Sequence, residues 1–325
     1  AEVSVMVTAP RPDRPDQLAM VAGASEYLSD PPQVVAPVGM PAGGSVQVDP
    51  AATSNDTLAT ICWTSGTTGL PKGVPRTHSM WLASGSFQVD QLELTAEDKI
   101  LCPFPVVNMA GIGGMLVPWA MVGAALHLHQ PLDLEVFLGQ LQSERVTYTV
   151  APPALLNRLL GQPDMLESID FGSIRKISSG SAPLDPWMVA GWQDRGVEIV
   201  NVFGSNEGAS LLSTAASVPD PAERARFFPR PDRPGVETRL VDLESGQDID
   251  VVEQPGELRF RGATVFEGYL DSDGEEFDDL GFYRTGDLFE WVDSGGDRLL
   301  RFVDRAKDII IRCLLYTSPS PRDGD

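Results

Sequence analysis

The chain has 325 residues, 42% of them hydrophobic and 22% charged, an ordinary globular composition with material for a substantial core. Its 46 acidic against 24 basic side chains give a formal net charge of -22, which argues against nucleic acid or an anionic membrane surface as partner. No apolar run reaches the roughly 18 residues of a membrane-spanning helix, no secretory signal opens the chain, and the three cysteines, Cys62, Cys102 and Cys313, lack disulfide or metal spacing, so no membrane span and a cytoplasmic location are expected.

Residues 31–56 are rich in Pro, Gly, Ala, Asp and Ser and read as a connecting loop. Thr57-Leu58-Ala59-Thr60-Ile61-Cys62-Trp63 is a short apolar, β-branched run and predicts a buried strand. It leads into Thr64-Ser65-Gly66-Thr67-Thr68-Gly69-Leu70-Pro71-Lys72-Gly73. Glycines there let the backbone approach a ligand closely. The N–H groups and hydroxyls suit phosphate oxygens, and Lys72 adds a positive charge. The ligand implied is a nucleotide triphosphate, although the spacing departs from that of an ordinary P-loop. His78 is expected to cap or pack beside this loop. His127 and His129 alternate on a predicted strand, and without a third ligand they read as residues of a sheet face.

Asp133 to Glu144 is helical in period, with Leu134, Phe137, Leu138 and Leu141 on one face. Val146 to Val150 predicts a strand, Ala154 to Leu160 a helix and Ile174 to Ile177 a strand. Asp185-Pro186 predicts an N-cap followed by proline at the first helical position, and Gly196 ends that helix. Glu198 to Phe203 is again a strand. This alternation predicts an α/β fold, a parallel sheet flanked by helices. Such sheets bind ligands beyond the carboxyl ends of their strands, and the loops at Thr64 and Gly204 are both expected there. After about residue 235 the pattern changes. Val236 to Val241, Glu257 to Arg261 and Leu299 to Val303 alternate and predict a small antiparallel β subdomain. The acidic run at 271–281 reads as a solvated turn, because its spacing does not fit a calcium loop.

Several stretches carry a resemblance. The Thr64–Gly73 run is similar to the phosphate-loop motif of the adenylate-forming superfamily, which includes acyl-CoA synthetases, aryl-CoA ligases, luciferases and peptide-synthetase adenylation domains. Val202-Phe203-Gly204-Ser205-Asn206-Glu207-Gly208 resembles the family's aromatic-Gly-x-Thr-Glu motif, with Asn206 where threonine is usual. In isolation Glu207 would read as an ordinary loop acid. Tyr283-Arg284-Thr285-Gly286-Asp287 matches the ribose-binding stretch, and Asp304-Arg305-Ala306-Lys307-Asp308-Ile309-Ile310-Ile311-Arg312 resembles the hinge to a small C-terminal domain. Ser179-Gly180-Ser181-Ala182-Pro183-Leu184 resembles the loop bordering adenine and the acyl pocket. Asn108, in Pro105-Val106-Val107-Asn108, stands in place of a usual histidine.

The resemblance covers roughly residues 50–312 and implies ATP-dependent activation of a carboxylic acid to an acyl-adenylate, then transfer to CoA. It implies that Thr64, Ser65, Gly66, Thr67, Thr68, Gly69 and Lys72 hold phosphates. Gly180, Ser181, Ala182, Phe203, Gly204, Asn206, Asp287 and Arg305 would surround the rest of the nucleotide. Glu207 would hold Mg²⁺, Lys72, Glu207 and Arg305 would be catalytic, Asn108 and Ser179 would border the acid, and Lys307 would be the hinge. ATP, Mg²⁺ and CoA are the implied cofactors, and fatty acid metabolism is one implied setting. Phe203 with Glu207-Gly208 also resembles aryl-acid adenylating enzymes that load a carrier-protein thiol. An inactive nucleotide-binding remnant is the reading from another class. The expected organisation is a partial N-terminal segment and linker over 1–56, a nucleotide-binding α/β subdomain over 57–235, a β-rich subdomain over 236–303 and the hinge over 304–312. Residues 313–325 have no family character, so the chain is expected to be a fragment with little activity.

Overall fold

The computed structural model describes residues 5–7, 33–35, 54–64, 71–130, 132–167, 169–231, 235–270 and 272–306. Two compact units divide the chain, residues 1–53 and 54–325. In the first, β1 (Val5–Val7) pairs in parallel with β2 (Gln33–Val35).

The second unit opens with a hairpin. The predicted strand β3 (Leu58–Thr64) pairs antiparallel with β4 (Lys72–Thr77), so Thr64 lies opposite Lys72. This corrects the expectation that the loop at Thr64 follows a strand of the parallel sheet. The residues after the loop are themselves extended, and they fold back on β3 before any crossover can form. A two-stranded ribbon tolerates Pro75, because its edge needs no further hydrogen bonds. Helix α1 (His78–Leu92) follows at once. Its cap is Thr77, whose Oγ1 accepts from Met80 N at 3.3 Å, while His78 is an exposed first-turn residue and not the cap.

The main sheet has six strands in the order β10-β9-β8-β7-β5-β6. The strands β5 (Lys99–Cys102), β6 (Ala125–Leu128), β7 (Tyr148–Val150), β8 (Lys176–Gly180) and β9 (Glu198–Gly204) run parallel, and β10 (Ser210–Ser213) returns antiparallel beside β9. Period-two alternation divides the buried residues between two faces. Leu101, Ile177 and Ile199 face Phe137, Leu141, Leu156, Met188 and Trp192 of α2 (Leu134–Ser143), α3 (Pro153–Leu160) and α4 (Pro186–Gln193). Ile100, Cys102, Tyr148 and Val200 join Leu92, Met115 and Leu212 on the other side. The strands are therefore apolar on both sides, as a helix-covered parallel sheet requires. Asp133 caps α2 by accepting from Val136 N at 3.0 Å. Asp185 stands at the N-cap of α4, but its carboxylate accepts from Asn157 Nδ2 at 2.6 Å and makes no cap bond. His129 Nε2 accepts from Asp133 N at 2.9 Å. Among the described residues no three His, Cys, Asp or Glu side chains gather as a metal site, and no helix is long and apolar enough to cross a membrane.

A second, antiparallel sheet has the order β11-β15-β14-β13-β12. It comprises β11 (Phe227–Pro229), β12 (Val236–Val241), β13 (Gly256–Gly262), β14 (Tyr283–Ser294) and β15 (Asp297–Arg305). Leu240, Leu258, Phe260, Phe289, Trp291 and Leu300 form its core, which also takes in Val74, Ala209 and Leu211 from the hairpin and the main-sheet side. The acidic run at 271–281 is only in part a solvated turn. Asp278 is half-buried with its carboxylate turned inward, and its Oδ2 accepts from Arg259 Nη1 at 2.9 Å and Arg239 Nη1 at 3.2 Å. Two guanidinium groups from β12 and β13 offset the desolvation of that charge.

Ile177 lies 2% exposed in β8, at the centre of the helix-facing core. Ile177→Ala is expected to lower unfolding stability by about 2–5 kcal/mol, read from urea denaturation with an unchanged m-value.

Candidate functional site

A cleft of about 1720 Å³ opens where the parallel strands end. Val150 and Ala151 at the end of β7, Ser178 to Ser181 at β8 and Gly204 to Ser210, from the end of β9 to the start of β10, line one wall. Lys72 of the hairpin and Glu257, Asp287 and Arg305 of the second sheet line the other parts. The position beyond the carboxyl ends of parallel strands is the usual place for a ligand in α/β sheets.

Glu207 is 8% exposed, in the turn between β9 and β10. Its Oε1 accepts from the Tyr269 hydroxyl at 2.7 Å, and its carbonyl accepts from Phe266 N at 2.8 Å. Gly208 follows with φ +97, and a Cβ there would stand 1.8 Å from the Thr264 carbonyl oxygen. Only glycine allows the turn to pass this close to the second sheet. Lys72 is exposed at the start of β4, with Nζ 4.6 Å from the centroid of the Tyr269 ring. Asp287 is 4% exposed, and the β14–β15 register sets it directly across from Arg305. Arg305 Nε lies 3.2 Å from Asp287 Oδ1. Burial pushes the Asp287 carboxyl up to about 6, against the pull of Arg305 and with a further push from the charge on Glu207. The hydroxyls of Tyr269 and Tyr283 are also pushed up, mainly by burial and then by neighbouring charge, so both remain proton donors.

The structure thus brings Lys72, Glu207, Asp287, Arg305, Asn206, Gly204, Gly180, Ser181, Asn108 and Ser179 to one cleft, with Thr64 at its edge. Ser179 is buried and donates to the Ala151 carbonyl at 2.8 Å. Ser181 holds φ +64 at the exposed end of β8, and Ala182 is exposed beside it. Asn108 Oδ1 accepts from Gly111 N at 2.6 Å and so caps the short helical turn Met109–Gly111. Phe203 does not line the cleft. Its ring lies on the opposite face of β9 from Val202 and Gly204, edge-on to Phe289 at 5.1 Å. Ser65, Gly66, Thr67, Thr68, Gly69 and Lys307 lie outside the described residues.

Sequence reasoning missed Arg76. It is 0% exposed, and Nη1 donates to the Asn206 carbonyl at 3.3 Å while Nη2 donates to Ser84 Oγ at 2.9 Å. Its guanidinium lies 4.7 Å from the Trp81 ring centroid, and burial pushes its pKa down to about 10. It ties the hairpin to the turn that carries Glu207. The donors fit a nucleotide with Mg²⁺: an ammonium and a guanidinium for phosphates, a carboxylate for ribose hydroxyls, and a Glu207 carboxylate whose second oxygen suits a hard cation.

The family model described as AMP-binding enzyme matches residues 1–270. Indoleacetate–CoA ligase of Aromatoleum aromaticum is 30% identical over 275 residues, 79% of this chain and 52% of its own length. Medium-chain fatty-acid–CoA ligase of Escherichia coli strain K12 is 32% identical over 271 residues, 80% of this chain and 45% of the relative. The chain spans about half the length of the curated relatives it matches. The solved structure of ATP-bound MatB from Rhodopseudomonas palustris superposes with a TM-score of 0.74 at 25% identity, over 95% of this chain and 60% of that one.

The raised carboxyl of Asp287 sets a pH dependence. Its folded-state value near 6 exceeds its ordinary value of 3.8, so its ionisation weakens the ligand-free fold as pH rises through about 6. The ionised carboxylate is the stronger hydrogen-bond acceptor, so a ligand hydroxyl that donates to it gains over the same interval. Stabilisation by AMP, read as a rise in Tm, is expected to grow as pH climbs through about 6. Asp287→Asn is expected to abolish that growth without lowering the ligand-free Tm at neutral pH.

Proposed function

The chain belongs to the AMP-binding enzyme family, and on that premise we propose that it forms the nucleotide cleft of a ligase that activates a carboxylic acid with ATP and passes the acyl group to the thiol of CoA. The observation that carries this reading is the convergence of Lys72, Glu207, Asp287 and Arg305, from four separate stretches of sequence, on one cleft at the ends of the parallel strands. The similarity to ligases named for indoleacetate and medium-chain fatty acids supports the same chemistry.

In the first step a carboxylate oxygen attacks the α-phosphorus of ATP. A new P–O bond forms, the bond between the α-phosphorus and the bridging oxygen breaks, and pyrophosphate leaves with the electron pair. In the second step the thiol sulfur attacks the acyl carbon, AMP leaves, and the thiol proton is lost. Both substrates of the first step are anions, so charge neutralisation and alignment dominate the barrier. Lys72 meets the phosphates as a point charge, and Arg305 adds a second cation beside the ribose carboxylate Asp287. Mg²⁺ held by Glu207 would neutralise phosphate charge when bound. Asn206 offers its amide to the phosphates. Asn108 and Ser179 stand at the acid end, where Trp81, Phe104, Met109, Tyr148 and Val150 give an apolar wall that suits an apolar or aromatic acid.

Two measurements test this. ATP at a hundred times its Kd is expected to stabilise the chain by about 2.7 kcal/mol, and absence of any stabilisation by ATP or AMP would overturn the reading. Lys72→Met is expected to weaken ATP binding by roughly tenfold, with an unchanged Tm for the ligand-free protein.

A further inference from the structure

We infer that Tyr269 is a positioning residue that couples the phosphate-binding lysine to the metal-binding glutamate, an inference that rests on the nucleotide reading of the cleft. The Tyr269 hydroxyl donates to Glu207 Oε1 at 2.7 Å, and the face of the same ring lies 4.6 Å from Lys72 Nζ. One side chain therefore touches both charged groups, each in the manner its chemistry favours: a hydrogen bond to the carboxylate and the electron-rich ring face to the ammonium. The backbone around Tyr269 repeats the connection. Leu270 N donates to the Gly73 carbonyl at 2.9 Å, next to Lys72, and Phe266 N donates to the Glu207 carbonyl at 2.8 Å. The segment 266–270 thus clasps the start of β4 on one side and the Glu207 turn on the other.

Tyr269 is itself held. Its ring meets Phe266 edge-on at 4.8 Å, and its N–H donates to Glu276 Oε1 at 2.8 Å. The Tyr283 hydroxyl stands 3.4 Å from its own. A carboxylate has two oxygens, so the bond to Oε1 orients Glu207 and leaves Oε2 for a cation. The ring under Lys72 limits the wandering of a long, exposed side chain and keeps the ammonium over the same cleft. Tyr269 thereby removes rotamer freedom from both groups before the nucleotide arrives.

The two halves of the role separate by substitution. Tyr269→Phe keeps the ring, its packing on Phe266 and the seat for Lys72, and deletes only the hydroxyl. Tyr269→Leu deletes both. The readout is ATP affinity by calorimetry on the chain, measured with Mg²⁺ and in EDTA. In Tyr269→Phe the factor by which Mg²⁺ strengthens ATP binding is expected to fall roughly fivefold to tenfold, with EDTA affinity unchanged. Tyr269→Leu is expected to weaken binding in EDTA as well. In a Glu207→Gln background Tyr269→Phe is expected to add nothing further. A Tyr269→Phe protein with the wild-type Mg²⁺ factor, or one that loses affinity equally with and without Mg²⁺, would overturn the inference. A wild-type chain that fails to bind ATP at all would overturn the nucleotide reading, and the inference with it.

Discussion

Glu207 and Asp287 are two acids buried in the lining of one cleft, and the cost of holding Asp287 charged there is the constraint the rest of the site answers. Burial, and then the charge on Glu207, raise the proton affinity of Asp287. Here the cations within reach are few and specific: Arg305 across the β14–β15 ladder from Asp287, Lys72 beyond Tyr269, and buried Arg76 behind the Glu207 turn. In a chain with a formal net charge of -22 the cleft must gather positive charge against the surrounding field. The free protein holds an ionised Asp287 at some expense of stability.

The two sheets divide the labour. The parallel sheet, packed on both faces, ends its strands at the cleft and presents the turns at Gly180 and Gly204. Antiparallel pairing in the second sheet sets Asp287 beside Arg305 by register alone. The hairpin supplies Lys72. Arg76 and the segment around Tyr269 fasten the three pieces together, by side-chain bonds to carbonyls and by the backbone bonds of Leu270 and Phe266.

The alternation of strands and helices between residues 133 and 204 was legible, because apolar residues there follow the periods of a buried sheet and its covering helices. The cleft residues were legible only through motifs, since Glu207 and Asp287 look like common loop acids until placed. The strand β4 was hidden by Gly73 and Pro75, both poor strand formers, and helix α1 by apolar residues such as the exposed Leu82 away from its buried face. Arg76 and Tyr269 carry no local signal at all. Their partners lie 130 and 62 residues away in sequence, at Asn206 and Glu207. Asp278 was misjudged for the same reason: an acidic run looks solvated until the arginines of distant strands come to meet it.

The hairpin has one more consequence. Thr64 and Lys72 are cross-strand neighbours, so the position of the ammonium is set by the ladder. A one-residue slip of β4 along β3 would turn the Lys72 side chain to the other face of the ribbon, because side chains alternate along a strand. Register in the hairpin is therefore what aims the ammonium at the cleft.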